Sequence, residues 1–264
     1  METLFEIIHE DADLLVVNKP AGLVCHPTKG DQFSSLISRA RLHCGTAAHL
    51  VNRLDRETSG IVLLAKNSET AGALGKLWEN RAVQKEYLAI VHGHVLEKNG
   101  IIDAPLGKDV NSIVAVKDCV RADGASAQTE FELLKQFTRD AASPDRPPLD
   151  VEGSMLEVQR SPLLNIKHRP QKFSLLRVVP RTGRKHQIRI HLAHAGFPIV
   201  GDKLYGHDED AYLALVENRL TEQQRNKLIF PNQALHAASI TLNWRGKDWN
   251  FSAPPENYFQ NFIT

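Results

Sequence analysis

Asp55 stands between Arg53 and Arg56 in "HLVNRLDRETSG" (49–60), just ahead of the apolar run Ile61–Ala65. A carboxylate held by a scaffold can act as a nucleophile or a proton carrier. An exposed one beside two arginines is an ordinary weak surface pair. Two features favour the first reading. The loop runs straight into a segment apolar enough to be buried, which would fix its geometry. Thr58-Ser59-Gly60 reads as a tight turn, with Gly60 allowing unusual backbone angles and the close approach of a ligand.

A second cluster, "RTGRKHQIRIH" (181–191), carries Arg181, Arg184, Lys185 and Arg189, with His186 and His191 alongside. The whole chain has a net charge of only +1, so any polyanion must be met by such local clusters. The cations around Thr182-Gly183-Arg184 suit phosphate contacts. Other chemistries find less support. The 12 histidines and three cysteines fall in no zinc spacing, so no metal is expected. There is no GxSxG elbow, and no GxGxxG or GxxxxGK[ST] phosphate loop. A glycosidase would need a second placed carboxylate; Asp202 in "VGDKLYG" is a candidate, but nothing in the sequence ties it to Asp55.

The elements that must position these groups read mainly as strands. "LLVVNKPAGLVCHP" (14–27) is a strand, a turn at Lys19-Pro20-Ala21-Gly22 and a second short strand. "GIVLLAKN" (60–67) reads as a strand buried on both faces. "SETAGALGKLWENRAVQ" (68–84) is an amphipathic helix with Ser68 as N-cap. "KEYLAIVHGHV" (85–95) and "GASAQTEFELLKQF" (124–137) are strands. "HQIRIHL" reads as a strand or the start of a helix. As a strand it would set Ile188, Ile190 and Leu192 on one face and Gln187, Arg189 and His191 on the other. "DAYLALVENRLTEQQRNKL" (210–228) is partly helical, and "ALHAASITLNWRGKDWNFSAPP" closes a hairpin around Arg245-Gly246-Lys247. Residues 139–172 hold five prolines and no sustained period, an irregular insertion. The order predicts an α+β fold on a mixed, largely antiparallel sheet with flanking helices and a central cleft. The 264 residues are expected to form a single domain. Three scattered cysteines, no membrane-length apolar run and an acidic N-terminus lead us to expect a cytoplasmic protein, with a monomer as the default state.

"NRLDRETSGIVLLAKN" resembles the signature of RluA-type RNA pseudouridine synthases, in which an R-L-D-x-x-T-S-G run carries the catalytic aspartate. Four further blocks agree in order: "LLVVNKPAGLVCHP", "KEYLAIVHG", "RTGRKHQIRIHLAHAGFPIVGDKLYG" and "LHAASITL". Together they cover roughly residues 5–255. The resemblance implies an isomerase that detaches uracil from C1′ of a uridine in RNA, turns it and rejoins it through C5. No cofactor or metal is implied, because one bond is broken and another made without redox change. Asp55 then acts at C1′, Arg189 is its partner cation, and Tyr87 stacks on the base with its hydroxyl a candidate for taking the C5 proton. The target base must leave its stack, and Arg53 is the implied intruder in the gap. Arg56, Arg181, Arg184 and Lys185 are candidates for backbone phosphates. The partner is RNA, ribosomal or transfer. Relatives usually have His where this chain has Asn52, which bears on the RNA-facing loop. No separate N-terminal RNA-binding domain is expected, since the motifs begin by residue 14. The competing readings are an RNA-binding or chaperone module on the same scaffold and a nucleosidase that releases free uracil.

Overall fold

A computed structural model describes residues 5–27, 35–45, 47–139, 170–206 and 209–264. In chain order the elements are β1 (Glu6–Glu10), β2 (Leu14–Lys19), α1 (Leu36–Cys44), β3 (His49–Leu50), β4 (Ser59–Ala65) and α2 (Ser68–Glu79). Then come β5 (Val83–His92), β6 (Asn99–Asp103), β7 (Leu106–Lys108), β8 (Asp118–Val120), β9 (Gln128–Arg139), β10 (Gln171–Pro180) and α3 (Gln187–His194). The chain closes with α4 (Asp210–Val216), α5 (Glu222–Leu228), β11 (Leu235–Trp244), β12 (Lys247–Ser252) and α6 (Asn257–Ile263). A 10-stranded sheet runs β1-β2-β4-β11-β5-β10-β9-β6, with β12 on β11 and β3 on β4; β7 and β8 form a separate pair. The β4–β11 pairing is parallel and the others are antiparallel, giving the expected α+β, mixed and largely antiparallel architecture.

Strand β4 is buried along its whole length because both faces of the sheet are covered there. Side chains alternate across a strand. Val62 and Leu64 therefore join Leu15 and Val17 beneath Leu36, Ile37 and Ala40 of α1. Ile61 and Leu63 join Leu14 and Val16 beneath Leu74 of α2 on the other side. A run without polar alternation is what such a position requires. Helix α2 is capped by Asn67, whose side chain accepts from the Thr70 N–H at 2.8 Å; the cap thus falls one residue before the expected Ser68, which is the first helical residue.

"HQIRIHL" folds as helix α3, not as a strand, and Gln187 through Leu192 are all buried. Residues surrounded by protein on every side carry no clean period, so β-branched alternation mimics a strand here. Ile188 and Leu192, four apart, pack into the core against β5 and β10. Ile190 faces the other way, against Leu106 and Ala127. The second short strand expected after Gly22 is reduced to one bridge, Val24 to Ser35. The β11–β12 hairpin turns at Arg245 and Gly246, with φ of 54° and 72°, the pattern of a two-residue primed turn. Most of the 139–172 insertion lies outside the described residues, but its two ends meet: Arg139 of β9 pairs with Gln171 of β10. No helix among the described residues is long and apolar enough to cross a membrane.

Candidate functional site

Asp55 sits on the 51–58 loop between β3 and β4, and almost every residue of that loop is tied down. Asn52 supplies both halves of a strand-like contact: its amide donates to Ile61 O at 3.3 Å and its carbonyl accepts from Leu63 N–H at 2.8 Å. Asn52 is thus a backbone mimic docking the loop on β4. The Leu54 N–H points at Cys25 Sγ at 3.4 Å, and that thiol lies 3.4 Å from Leu54 O. Lys19, with no exposed surface, donates to the carbonyls of Pro20, Leu23 and Arg56 at 2.8, 2.9 and 3.2 Å. Its three ammonium protons are thereby satisfied, although burial pulls its pKa down to about 8. Lys203 grips Glu57 through both carboxylate oxygens at 2.8 and 2.9 Å and donates to Pro231 O at 2.6 Å. Thr58 receives a hydrogen bond from Gln233 at 2.5 Å.

The Thr58-Ser59-Gly60 segment differs from its sequence reading. Ser59 starts β4, and its hydroxyl lies 2.9 Å from Nδ1 of buried His236, whose Nε2 faces Ala253 O at 3.0 Å. A carbonyl can only accept, so Nε2 holds the proton and Nδ1 accepts from Ser59. Gly60 has φ 113°, and a Cβ there would lie 2.3 Å from Ala237 O. The close approach it permits is that of β11, not of a ligand.

This scaffold aims the Asp55 carboxylate at Arg189. The guanidinium Nη1 donates to Asp55 Oδ2 at 2.9 Å. The other edge of the same guanidinium makes a two-point contact with Asp202, Nε at 2.7 Å and Nη2 at 2.9 Å. Asp202 also accepts the N–H groups of Leu204 and Tyr205 at 2.9 and 3.0 Å. Burial alone would push the Asp202 carboxyl up, but Arg189 and these N–H groups hold it below its ordinary range. Burial likewise disfavours the Arg189 cation, and the two carboxylates more than restore it. Asp202 is therefore tied to Asp55, through Arg189. It is not a second glycosidase carboxylate, because its oxygens are committed behind the guanidinium and away from the cavity. The Tyr205 ring closes the arrangement, with the Arg189 guanidinium carbon 5.0 Å from its centroid.

Around this triad lies a cavity of about 660 Å³, lined by Asp55, Tyr87 and Arg189 together with Arg53, Arg56, Arg184 and Lys185. Its size suits a nucleoside-scale ligand. Tyr87 stands on β5 opposite Ala237, half-buried, and burial followed by the Asp55 charge pushes its phenol above the ordinary range. Arg53 is exposed at the rim. Arg56 reaches back to Gly22 O at 3.1 Å, Arg184 to Ser126 O at 3.0 Å, and Lys185 pairs with Asp118 at 2.9 Å. Arg181 does not join them: it forms a two-point ion pair with Glu130 at 2.7 and 2.6 Å, and does not line the cavity. The sequence reading passed over Lys19 and Lys85 and did not give Asp202 or His186 the places they occupy. Lys19 and Asp202 act as buried anchors, while Lys85 and His186 line the cavity. Lys85 was recoverable, since residues two apart on a strand share a face and Lys85 precedes Tyr87 by two.

The sequence and the fold have known counterparts. A family model described as RNA pseudouridylate synthase matches residues 13–194. The chain is 31% identical over 263 residues to an uncharacterized RNA pseudouridine synthase, YlyB, of Bacillus subtilis (strain 168), covering 96% of this chain and 70% of that protein. It is 36% identical over 203 residues to tRNA pseudouridine synthase C of Pasteurella multocida (strain Pm70), covering 76% and 74%. Against ribosomal large subunit pseudouridine synthase D of Nitrosomonas europaea it is 32% identical over 243 residues, spanning 90% of this chain but 57% of that one. Among solved structures, human RNA pseudouridylate synthase domain containing 1 shares the fold, with a TM-score of 0.69, 22% identity, and 97% and 86% coverage.

Proposed function

The chain belongs to the RluA-type RNA pseudouridine synthases, a family of isomerases, and we propose that it converts uridine to pseudouridine in a structured ribosomal or transfer RNA with Asp55 as its central group. The observation that carries this reading is that Asp55 and Arg189 are paired in the lining of a nucleoside-sized cavity, with Asp202 holding Arg189 from behind. The reaction needs a carboxylate held against C1′ of a ribose, and the pinned 51–58 loop holds one. One oxygen, Oδ2, is engaged by Arg189, and the side chain is still about one-third exposed at 32%. It can therefore meet C1′ without first breaking its ion pair.

The target base must reach that carboxylate by leaving its stack, at a cost of a few kcal/mol. Arg53, at the rim two residues before Asp55, is the candidate to fill the gap, and Arg56, Arg184 and Lys185 are candidates for the flanking phosphates. Tyr87 offers its ring to the uracil face. Its hydroxyl is the candidate for the C5 proton, although burial and the Asp55 charge push the phenol above its ordinary range and so oppose its ionisation. Nothing in this sequence of steps calls for a metal or cofactor. We place RNA selection on this unit's own surface or on a partner, and the protein in the cytoplasm as a monomer.

Mapping pseudouridines across all RNAs of cells with and without the gene tests the proposal. Loss of one or a few sites, restored by the wild-type chain and not by Asp55→Asn, is the expected result. Unchanged sites, or restoration by Asp55→Asn, would favour the RNA-binding module instead.

A further inference from the structure

His186 lines the cavity beside Asp55 and takes no part in the steps assigned to Asp55, Arg189 and Tyr87. Its environment fixes where its proton sits. The Asp118 N–H donates to the Tyr205 hydroxyl oxygen at 3.2 Å, which leaves the Tyr205 O–H free to donate elsewhere. His186 Nδ1 lies 3.0 Å from that hydroxyl. If Nδ1 accepts this bond, a neutral imidazole carries its proton on Nε2. Nε2 lies 3.9 Å from Asp55 Oδ2, beyond hydrogen-bond reach, while Arg189 holds the same oxygen at 2.9 Å.

The backbone adds a second observation. His186 has φ 55° and ψ 15°, the left-handed region, at the residue where α3 begins. That conformation costs a non-glycine residue on the order of 1–2 kcal/mol. Glycine would fit it without penalty, so the imidazole is held there despite the strain. The groups facing the ring are Asp55 from the 51–58 loop, Lys185 and Arg189 from its own segment, and Asp202 and Tyr205 from the 202–205 turn. Burial first, then Arg189, lower the imidazole's pKa and keep it neutral near pH 7.

We infer that His186 is a catalytic hydrogen-bond donor for this isomerisation, its Nε2–H binding the O2 carbonyl of the uracil as the base departs from C1′. The inference rests on Asp55 acting at C1′. When the C1′–N1 bond breaks, its electron pair leaves with the base and the charge spreads over N1 and the two carbonyl oxygens. O2 adjoins N1, so it is the base acceptor nearest C1′ and within reach of a donor standing beside Asp55. The electron pair is spent when C5 bonds to C1′; the C5 proton is then lost and a proton is gained at N1, so the rearranged base ends neutral. The Nε2 proton stays on His186 throughout; only the hydrogen bond strengthens, which lowers the barrier without tightening substrate binding.

Single-turnover kinetics with two substrates test this: RNA carrying uridine at the target, and the same RNA carrying 2-thiouridine, whose sulfur accepts hydrogen bonds poorly. His186→Asn tolerates the left-handed backbone. It should slow the uridine reaction by about 10²–10³-fold with RNA Kd little changed. On 2-thiouridine the wild type should itself be slow, and His186→Asn should cost little more, a non-additive pair. Tyr205→Phe keeps the ring under Arg189 but releases the tautomer, and should give a smaller loss in rate, again without a change in Kd. Equal losses on both substrates, or a loss confined to Kd, would overturn the inference. Should Asp55→Asn abolish the reaction while His186→Asn runs at the wild-type rate, this inference fails and the proposed function stands. Should Asp55→Asn remain active, the proposed function fails.

Discussion

Arg189 joins two carboxylates in very different surroundings, so removing either should have opposite consequences. The Asp202 side chain is 1% exposed, makes two bonds to the guanidinium and accepts two backbone N–H groups. Replacing it with Asn keeps an acceptor for the backbone but turns an NH₂ toward a guanidinium that can only donate. Breaking one side of a buried ion pair costs about 3–5 kcal/mol. For a chain of this size, 3 kcal/mol corresponds to a fall in Tm of roughly 6–12 °C. The Asp55 side chain is 32% exposed, and its loss leaves Arg189 still clamped by Asp202. Asp55→Asn should therefore shift stability by no more than about 1 kcal/mol while abolishing turnover. Calorimetry or urea unfolding of the two variants beside the wild type measures this directly. A Tm loss in Asp202→Asn no larger than that in Asp55→Asn would refute the assignment of Asp202 as the anchor.

Three further outcomes follow from the same contacts. Asn52→Ala removes both contacts to β4 and leaves the Leu63 N–H unsatisfied, so it should cost about 1–3 kcal/mol and lower kcat, read by thermal unfolding and single-turnover rates. Arg184→Ala should weaken RNA binding and reduce the salt slope of log K by about 0.9, whereas Arg181→Ala, whose cation is already taken by Glu130, should leave the slope unchanged; filter binding at several salt concentrations separates them. His236 is buried and neutral, its pKa lowered from 6.5 by burial, so the unfolded chain binds more protons than the folded one below that value. Stability should accordingly fall as pH drops through about 6.5 toward its folded pKa, and His236→Gln should flatten that limb in urea titrations.

Much of the fold could be read from the chain because its strands differ in burial. The unbroken apolar run of β4 marks a strand covered on both faces, and the Arg245-Gly246 turn marks a hairpin. Between strand and helix start, the sequence could not decide for "HQIRIHL", because Gln187 through Leu192 are all buried and the isoleucines alternate as a strand's would. In the site, Asp55, Tyr87 and Arg189 were legible through the motifs they belong to, and they do line one cavity. The link from Asp55 to Asp202 was not, since it runs through Arg189, 134 residues from Asp55, and depends on α3 being a helix. Asn52 and Gly60 were visible as unusual residues, but their partners, the backbone of β4 and of β11, appear only once the strands are paired. Arg181 was read as one cation among four; Glu130 beside it, on the neighbouring strand, is what removes it from the cavity.

Formation of pseudouridine requires that the proton on uridine C5 be lost. Purified protein mixed with a substrate RNA tritiated at C5 of uridine therefore reports the proposed chemistry through tritium released to water. The account predicts release by the wild type and none by Asp55→Asn, with RNA binding retained in both. Release by Asp55→Asn at the wild-type rate would contradict it.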